Sequence, residues 1–176
     1  TKPEEKRRLK QFSFLVVVRG MPGFTAEKLH GKMGIRASDT ATLSFNDVEI
    51  PEENLVGGVE GLGFTQVMHL FNINRVVAAA QGVGVAQAGL DRALAYVRER
   101  VQFGSPLASF QGVQFTLAEM AARVESSRQM CRLAAWQIDN SQINPQTISI
   151  AKLLAGQNAV WRSEERRVGK ECRSRW

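Results

Sequence analysis

The stretch FQGVQFTLAEMAARVESSRQMCRLAAWQID, residues 110–139, decides how the chain folds. Val113, Leu117, Met120, Val124, Ser127, Cys131, Ala134 and Ile138 follow one another at alternating steps of four and three residues. A helix gathers such positions onto one stripe, and a stripe sustained this long is the seam of a helical bundle. Phe115, Met130, Leu133 and Trp136 lie off the seam, which predicts that a second face of the helix is buried as well. At about 1.5 Å per residue the helix is a rod of roughly 45 Å.

Helical spacing continues on both sides. Upstream, Phe64, Val67, Met68, Phe71, Val76 and Val77 begin a pattern that runs through Leu90, Leu94 and Val97 to Val101. Gly82, Gly84 and Gly89 interrupt it, each at about 1 kcal/mol of helix propensity relative to alanine, which predicts close helix packing or a kink. The run Gly82-Val83-Gly84 follows a helix and not a strand, and it does not complete a G-x-G-x-x-G fingerprint, so it is not read as a dinucleotide loop. Downstream, Asn144-Pro145 opens a third helix, with asparagine as N-cap and proline at the first helical position. Ile148, Ala151, Leu154 and Ala155 carry that helix to Trp161. Three long helices with an unpaired apolar face imply at least one more, from sequence outside this chain or from another subunit.

The first part of the chain has a different period. Residues 12–18 read as a strand whose Phe12, Phe14, Val16 and Val18 share one face. Gly20-Met21-Pro22-Gly23 is a turn. Residues 41–48 read as a second strand, with residues 31–40 as loop between them. Two or three strands do not make a stable sheet alone, so this region reads as the back half of an antiparallel β-domain. The expected fold class is an α+β fragment: a β-domain remnant at residues 1–54, then a mainly α, up-and-down bundle domain at residues 55–161, itself incomplete.

Composition narrows the function. The 176 residues are 44% hydrophobic, enough for a real core, and no apolar run approaches a membrane span. There is no signal-peptide pattern at Thr1-Lys2-Pro3-Glu4-Glu5, and the absence of an initiator methionine is read as the mark of a fragment or a processed chain. The net charge of +6 invites a nucleic-acid reading, yet half of it sits in residues 162–176, RSEERRVGKECRSRW. That tail has no apolar period and resembles an in-frame translation of a sequencing-library adapter. The alternatives are a solvated helix end and a basic nucleic-acid arm. With Cys172 in the tail, Cys131 is the other thiol of the chain; one thiol makes neither a disulfide framework nor a metal site, and a reducing compartment is expected. His30 and His69 show no metal-ligand or triad spacing, and no H-E-x-x-H, G-x-S-x-G or P-loop occurs.

One cluster is not explained by core packing: Glu99-Arg100-Val101-Gln102-Phe103-Gly104-Ser105-Pro106-Leu107, followed by Phe110-Gln111. Arg100 closes the first helix, Gln102 and Phe103 sit at its frayed end, and Gly104 and Pro106 turn the chain. An arginine there complements the helix dipole, which is a purely structural role. The functional reading is a guanidinium fork for a phosphate oxygen pair, a phenylalanine packed on a heteroaromatic ring, and two glutamines completing the polar contacts. Both readings stand on these residues.

At this point the sequence resembles the flavin-dependent acyl-CoA dehydrogenases, over essentially residues 12–161. FLVVVRGMPGF is similar to the family's strand ending in a proline-glycine turn. KMGIRASDTATLSFNDVEIPEENLVG is similar to its run from the β-domain into the helical domain, and the sequence from Gly61 to Glu125 to its first helices with the R-x-Q-F-G and F-Q motifs. The resemblance implies an N-terminal helical domain, a β-domain and a C-terminal four-helix bundle, assembled as a homotetramer. It implies that Arg100, Gln102, Phe103 and Gln111 bind FAD across a subunit interface. It implies that Arg75 of FNINRVVAAA lies near the acyl-CoA pocket, with a buried structural ion pair as the equal alternative. Some members carry their general-base glutamate at the position of Asn74, which cannot act as a base. The glutamate is therefore expected beyond the chain end, no residue here is named catalytic, and the fragment is expected to be inactive alone. The implied activity is α,β-oxidation of an acyl-CoA to its trans-2-enoyl-CoA, with electrons passed to an electron-transfer flavoprotein, in the bacterial cytoplasm or the mitochondrial matrix. The rival expectations are an acyl-CoA oxidase or flavin monooxygenase on the same fold, and a non-catalytic helical-bundle interaction module. No nucleic-acid partner, membrane span or metal is expected.

Overall fold

A computed structural model describes residues 10–171, with side chains through residue 161. The described chain forms two compact units that divide between His69 and Leu70.

In the first unit the turn predicted at residues 20–23 is present. Gly20 and Gly23 take positive φ of 95° and 79°, and Phe24 donates its backbone N–H to Met21 O at 3.1 Å. Gly23 has no alternative: a Cβ there would stand 2.0 Å from Asn46 O. The turn delivers the chain into β1 (Phe24–Lys28), which pairs antiparallel with β2 (Ala41–Phe45) in the register Phe24↔Phe45 to Lys28↔Ala41. The rings of Phe24 and Phe45 meet across the pair at 5.1 Å. The strand read at 41–48 is thus present in shorter form, whereas β1 has no counterpart in the sequence reading. Its FTAEK composition explains the omission, since Glu, Lys and Ala are depleted from strands. The loop between them is held by Lys32, whose Nζ donates to Ile35 O at 2.9 Å, to Thr40 Oγ1 at 3.1 Å and to Ser38 O.

The strand expected at residues 12–18 is corrected. Only Leu15 forms a β-bridge, to Leu55. Its neighbours pair with the linker and not with a strand: Val56 N–H donates to Phe14 O and Val16 N–H to Asn54 O, both at 2.9 Å. Gly63 N–H donates to Phe12 O at 2.9 Å, where helix α1 begins. The alternating face of Phe12, Phe14, Val16 and Val18 is exposed in this structure.

The remaining elements are α1 (Gly63–Glu99), the hairpin strands β3 (Val101–Gln102) and β4 (Ser105–Pro106), α2 (Gln111–Asp139) and α3 (Pro145–Glu171). The seam of α2 behaves as its spacing predicts. Met120, Val124, Ser127, Cys131 and Ala134 are buried, and Val113, Leu117 and Ile138 are half-buried. One core cluster joins Ala79 and Val83 of α1 to Cys131 and Ala134 of α2 and to Ile148, Ala151 and Ala155 of α3. A second joins Ala86 and Leu90 to Met120 and Val124, with Trp161 against it. Ascending α1 therefore meets descending α2 and ascending α3, an up-down-up arrangement. Alanines at the crossing let the helices approach closely, and Gly82 takes this furthest: a Cβ there would lie 3.0 Å from Ala155 O. That accounts for one of the three glycines by close packing. Gly84 and Gly89 face open space, and α1 continues through all three. Of the four residues predicted to bury a second face of α2, Met130 is half-buried and packs against the core. Phe115, Leu133 and Trp136 are exposed among the described residues, because α1 and α3 meet α2 along the seam.

Asn144 caps α3 as expected, its Oδ1 accepting the N–H of Gln146 at 3.0 Å and of Thr147 at 3.3 Å. The residues from 162 onward, read as an adapter-derived tail, fall outside the described side chains; the α3 backbone runs to Glu171.

Candidate functional site

The conspicuous cluster is a β-hairpin seated between two helices. Helix α1 stops at Glu99, and Arg100 N–H still donates to Tyr96 O at 2.9 Å. The chain then leaves the helix as β3, turns, and returns as β4, with Val101 opposite Pro106 and Gln102 opposite Ser105. Leu107 N–H donates to Arg100 O at 2.8 Å, closing the base. The frayed helix end predicted at Gln102 and Phe103 is thus a paired strand and a turn. Pro106 is not in the turn but on β4, at an edge position where it needs no donor.

The turn itself is Phe103-Gly104, with φ of 52° and 78°. Two left-handed residues between paired strands are the geometry of the tight I′ hairpin. Glycine takes it freely, phenylalanine does not. Phe103 consequently stands 96% exposed. Its ring meets Phe110 edge-on, with centroids 6.3 Å apart and an interplanar angle of 82°. A single 3-10 turn, Leu107–Ser109, then leads through Phe110, the N-cap of α2. Gln114 braces this turn by donating Nε2 to Ala108 O at 2.8 Å. Gln111 is the first residue of α2, where the helix has unpaired N–H groups and positive dipole.

Four of the five site residues read from the sequence are therefore brought together. Arg100, Gln102, Phe103 and Gln111 occupy one hairpin and the helix start it touches, and all four are exposed. Gln102 Nε2 donates to Val101 O at 2.7 Å within the hairpin. The fifth is not brought to them. Arg75 lies on α1 about 36 Å along the helix from its end at Glu99, at 1.5 Å per residue. It is half-buried, and its Nη1 donates to Oδ1 of buried Asn72 at 2.9 Å. Among the described residues its partner is thus an amide and not the carboxylate of an ion pair. Asn74, one residue before it, is exposed. The turn read at Gly104 is present. The sequence reading missed the left-handed Phe103 beside it and Phe110 as the ring neighbour of Phe103.

The donor set fits a dinucleotide: a cation for phosphate, two amides and an uncovered aromatic ring, beside a helix N-terminus. No helix among the described residues is long and apolar enough to cross a membrane, and no group of three metal-ligating side chains occurs among them.

Comparison with known proteins gives this fold and hairpin a family. Residues 61–166 match the family model for the acyl-CoA dehydrogenase C-terminal domain. Acryloyl-CoA reductase (NADH) of Anaerotignum propionicum is 38% identical over 156 residues, covering 89% of this chain and 39% of that protein. The mitochondrial short-chain specific acyl-CoA dehydrogenase of Rattus norvegicus is 41% identical over 157 residues, covering 89% and 38%. The solved structure of butyryl-CoA dehydrogenase from Megasphaera elsdenii matches with a TM-score of 0.84 at 36% identity, over 93% of this chain and 42% of that one. The chain belongs to the acyl-CoA dehydrogenase family. It spans about two fifths of the length of these relatives.

Proposed function

We propose that the protein carrying this chain is an FAD-dependent acyl-CoA dehydrogenase. It oxidises an acyl-CoA thioester to the trans-2-enoyl-CoA and passes the electrons to an electron-transfer flavoprotein. The observation that carries this reading is the hairpin with the start of α2 beside it, which together present an exposed guanidinium, two exposed carboxamides and an exposed ring. FAD, when bound, supplies the two-electron acceptor for the hydride leaving the β-carbon. In this chain Arg100 is the fork for phosphate oxygens, Gln102 and Gln111 orient the nucleotide by hydrogen bonds, and Phe103 packs against a ring. Removal of the α-proton requires a carboxylate, and Asn74 cannot supply one. No residue of this chain is assigned that role. Arg75 is proposed to meet the acyl-CoA.

The separation between Arg75 and the hairpin bears on assembly. A group about 36 Å back along a helix and a hairpin at that helix's end cannot both touch one reacting centre. This favours a flavin site shared between subunits, in which the hairpin serves a neighbour's cofactor, and a homotetramer is the assembly the family resemblance implies.

The test uses the full-length protein. Arg100→Ala is expected to weaken FAD binding about tenfold to a hundredfold, the range for a lost charged hydrogen bond. The flavin-to-protein ratio after gel filtration reads this directly. Undiminished flavin in that variant would remove the hairpin from the site. A full-length protein without flavin absorbance would leave the non-catalytic bundle. Turnover should be assayed in both directions, since a relative is named a reductase. Rapid reoxidation of the reduced protein by oxygen would favour the oxidase and monooxygenase readings.

A further inference from the structure

Phe103 is favoured neither by its backbone nor by burial. A two-residue turn with both φ positive is the position for Asn-Gly or Gly-Gly, and a bulky side chain there is an outlier. The backbone at Phe103, with φ of 52°, takes that conformation all the same. Burial offers no return, since the ring is 96% exposed; the edge-on contact with Phe110 at 6.3 Å is a favourable ring pairing, and it bears on one edge of the ring and leaves its faces open. The hairpin is held from elsewhere: by the Gln102↔Ser105 pairing, by the Leu107-to-Arg100 hydrogen bond, and by Gly104, which absorbs the second left-handed position.

We propose that this turn is a strained display device: the surrounding frame forces Phe103 into a conformation its own residue type disfavours, so that its ring stands clear for a flat ligand ring to cover. The inference rests on the flavin reading above and adds a property that reading does not require, namely that the residue weakens the protein that carries it. Strain of this kind persists only where neighbouring structure over-determines it, and it is found where a side chain must be presented in advance. Presentation in advance lowers the ordering needed on binding. Phe110 is then the positioning residue that limits the ring's range, and not a ligand contact.

Two variants of the full-length protein test this, each measured without and with FAD. Phe103→Asn supplies the residue the turn prefers. It is expected to raise the thermal midpoint of the flavin-free protein by a few degrees and to weaken FAD binding roughly threefold to tenfold. Phe103→Leu keeps a bulky side chain and the strain but removes the aromatic face. It is expected to lose FAD affinity to a similar degree with no gain in the flavin-free midpoint. An unchanged or lower flavin-free midpoint for Phe103→Asn overturns the strain, whatever happens to FAD. A raised midpoint with FAD affinity intact in both variants overturns the display role and leaves the strain. A raised midpoint accompanied by loss of oligomer, with flavin retained, shows that another copy of the chain and not a cofactor covers the ring, and also overturns the proposal.

Discussion

Asn158 and Ser127 show how much a single buried polar residue can decide. The seam spacing placed Ser127 among apolar positions, and it is indeed fully buried. Its hydroxyl donates to Arg123 O at 2.9 Å and accepts Nδ2 of Asn158 at 2.6 Å, while the same Nδ2 reaches Arg123 O at 3.1 Å. The pair thus satisfies itself and ties α3 to α2 at one register. Asn158→Leu removes the donor and leaves Ser127 a buried lone pair, an expected loss of about 1–3 kcal/mol in urea unfolding. Adding Ser127→Ala should recover part of it, because removing both partners avoids an orphaned group. A double variant no more stable than Asn158→Leu would show that the lost stability lies in packing. A few residues away, Cys131 is read correctly from sequence as a buried core thiol: burial raises its pKa, and its Sγ lies 3.8 Å from Val76 O. The residue type and the helical period were enough for that. They were not enough for Phe103, because nothing in a sequence marks the sign of φ at a phenylalanine.

At the scale of elements, the glycines of α1 separate two causes that look alike in sequence. Gly82 faces α3, where an added Cβ would stand 3.2 Å from the Ala155 Cβ and 3.0 Å from its carbonyl oxygen. Gly84 faces nothing within 4 Å. Gly82→Val is therefore expected to destabilise by about 1–3 kcal/mol through overpacking, whereas Gly84→Ala should stabilise by up to about 1 kcal/mol through helix propensity. Opposite shifts of the denaturation midpoint confirm the assignment, and two stabilised variants would show that α1 and α3 are not in close contact at Gly82. The helices themselves were legible because each carries a long period and, in α3, an Asn-Pro start. The short pairings were not. Strand β1 has a polar composition, residues 12–18 have the composition of a strand without a strand partner, and the 102–105 hairpin is too brief to show alternation.

For the molecule as a whole, the three-helix unit holds its order unevenly. Ala79, Ala134, Ile148 and Ala151 have no exposed surface, and Ala155 has 1%. Strand β2 and the Phe103 turn are solvated throughout. Backbone amides around the first group are expected to exchange with deuterium far more slowly than those of β2 and of residues 101–106, because exposed hydrogen bonds open locally while core ones need larger unfolding. Equal protection of hairpin and core in the full-length protein would mean that further structure covers the hairpin. The exposed apolar residues Phe115, Leu133, Trp136 and Leu153 belong to the same picture, as helix faces that this chain leaves open.

Some of this was settled by the order of residues alone. The four-three seam, the Asn144 cap of α3, the turn glycines and the R-x-Q-F-G and F-Q motifs are local or periodic, and a helix translates period into a face without help from distant parts. That is why the bundle and the family resemblance are legible in the sequence itself. Tertiary structure decided what depends on chain segments far apart. It chose which face of α2 meets a partner, gave Gly82 a neighbour, and made 12–18 bridge to a linker. It set the start of α2, which carries Gln111, against the hairpin of Gln102 and Phe103 through the Phe103–Phe110 contact, and Arg75 lies far back along α1. Distance in space between residues distant in sequence is set by packing, and packing is the sum of contacts that no single stretch contains.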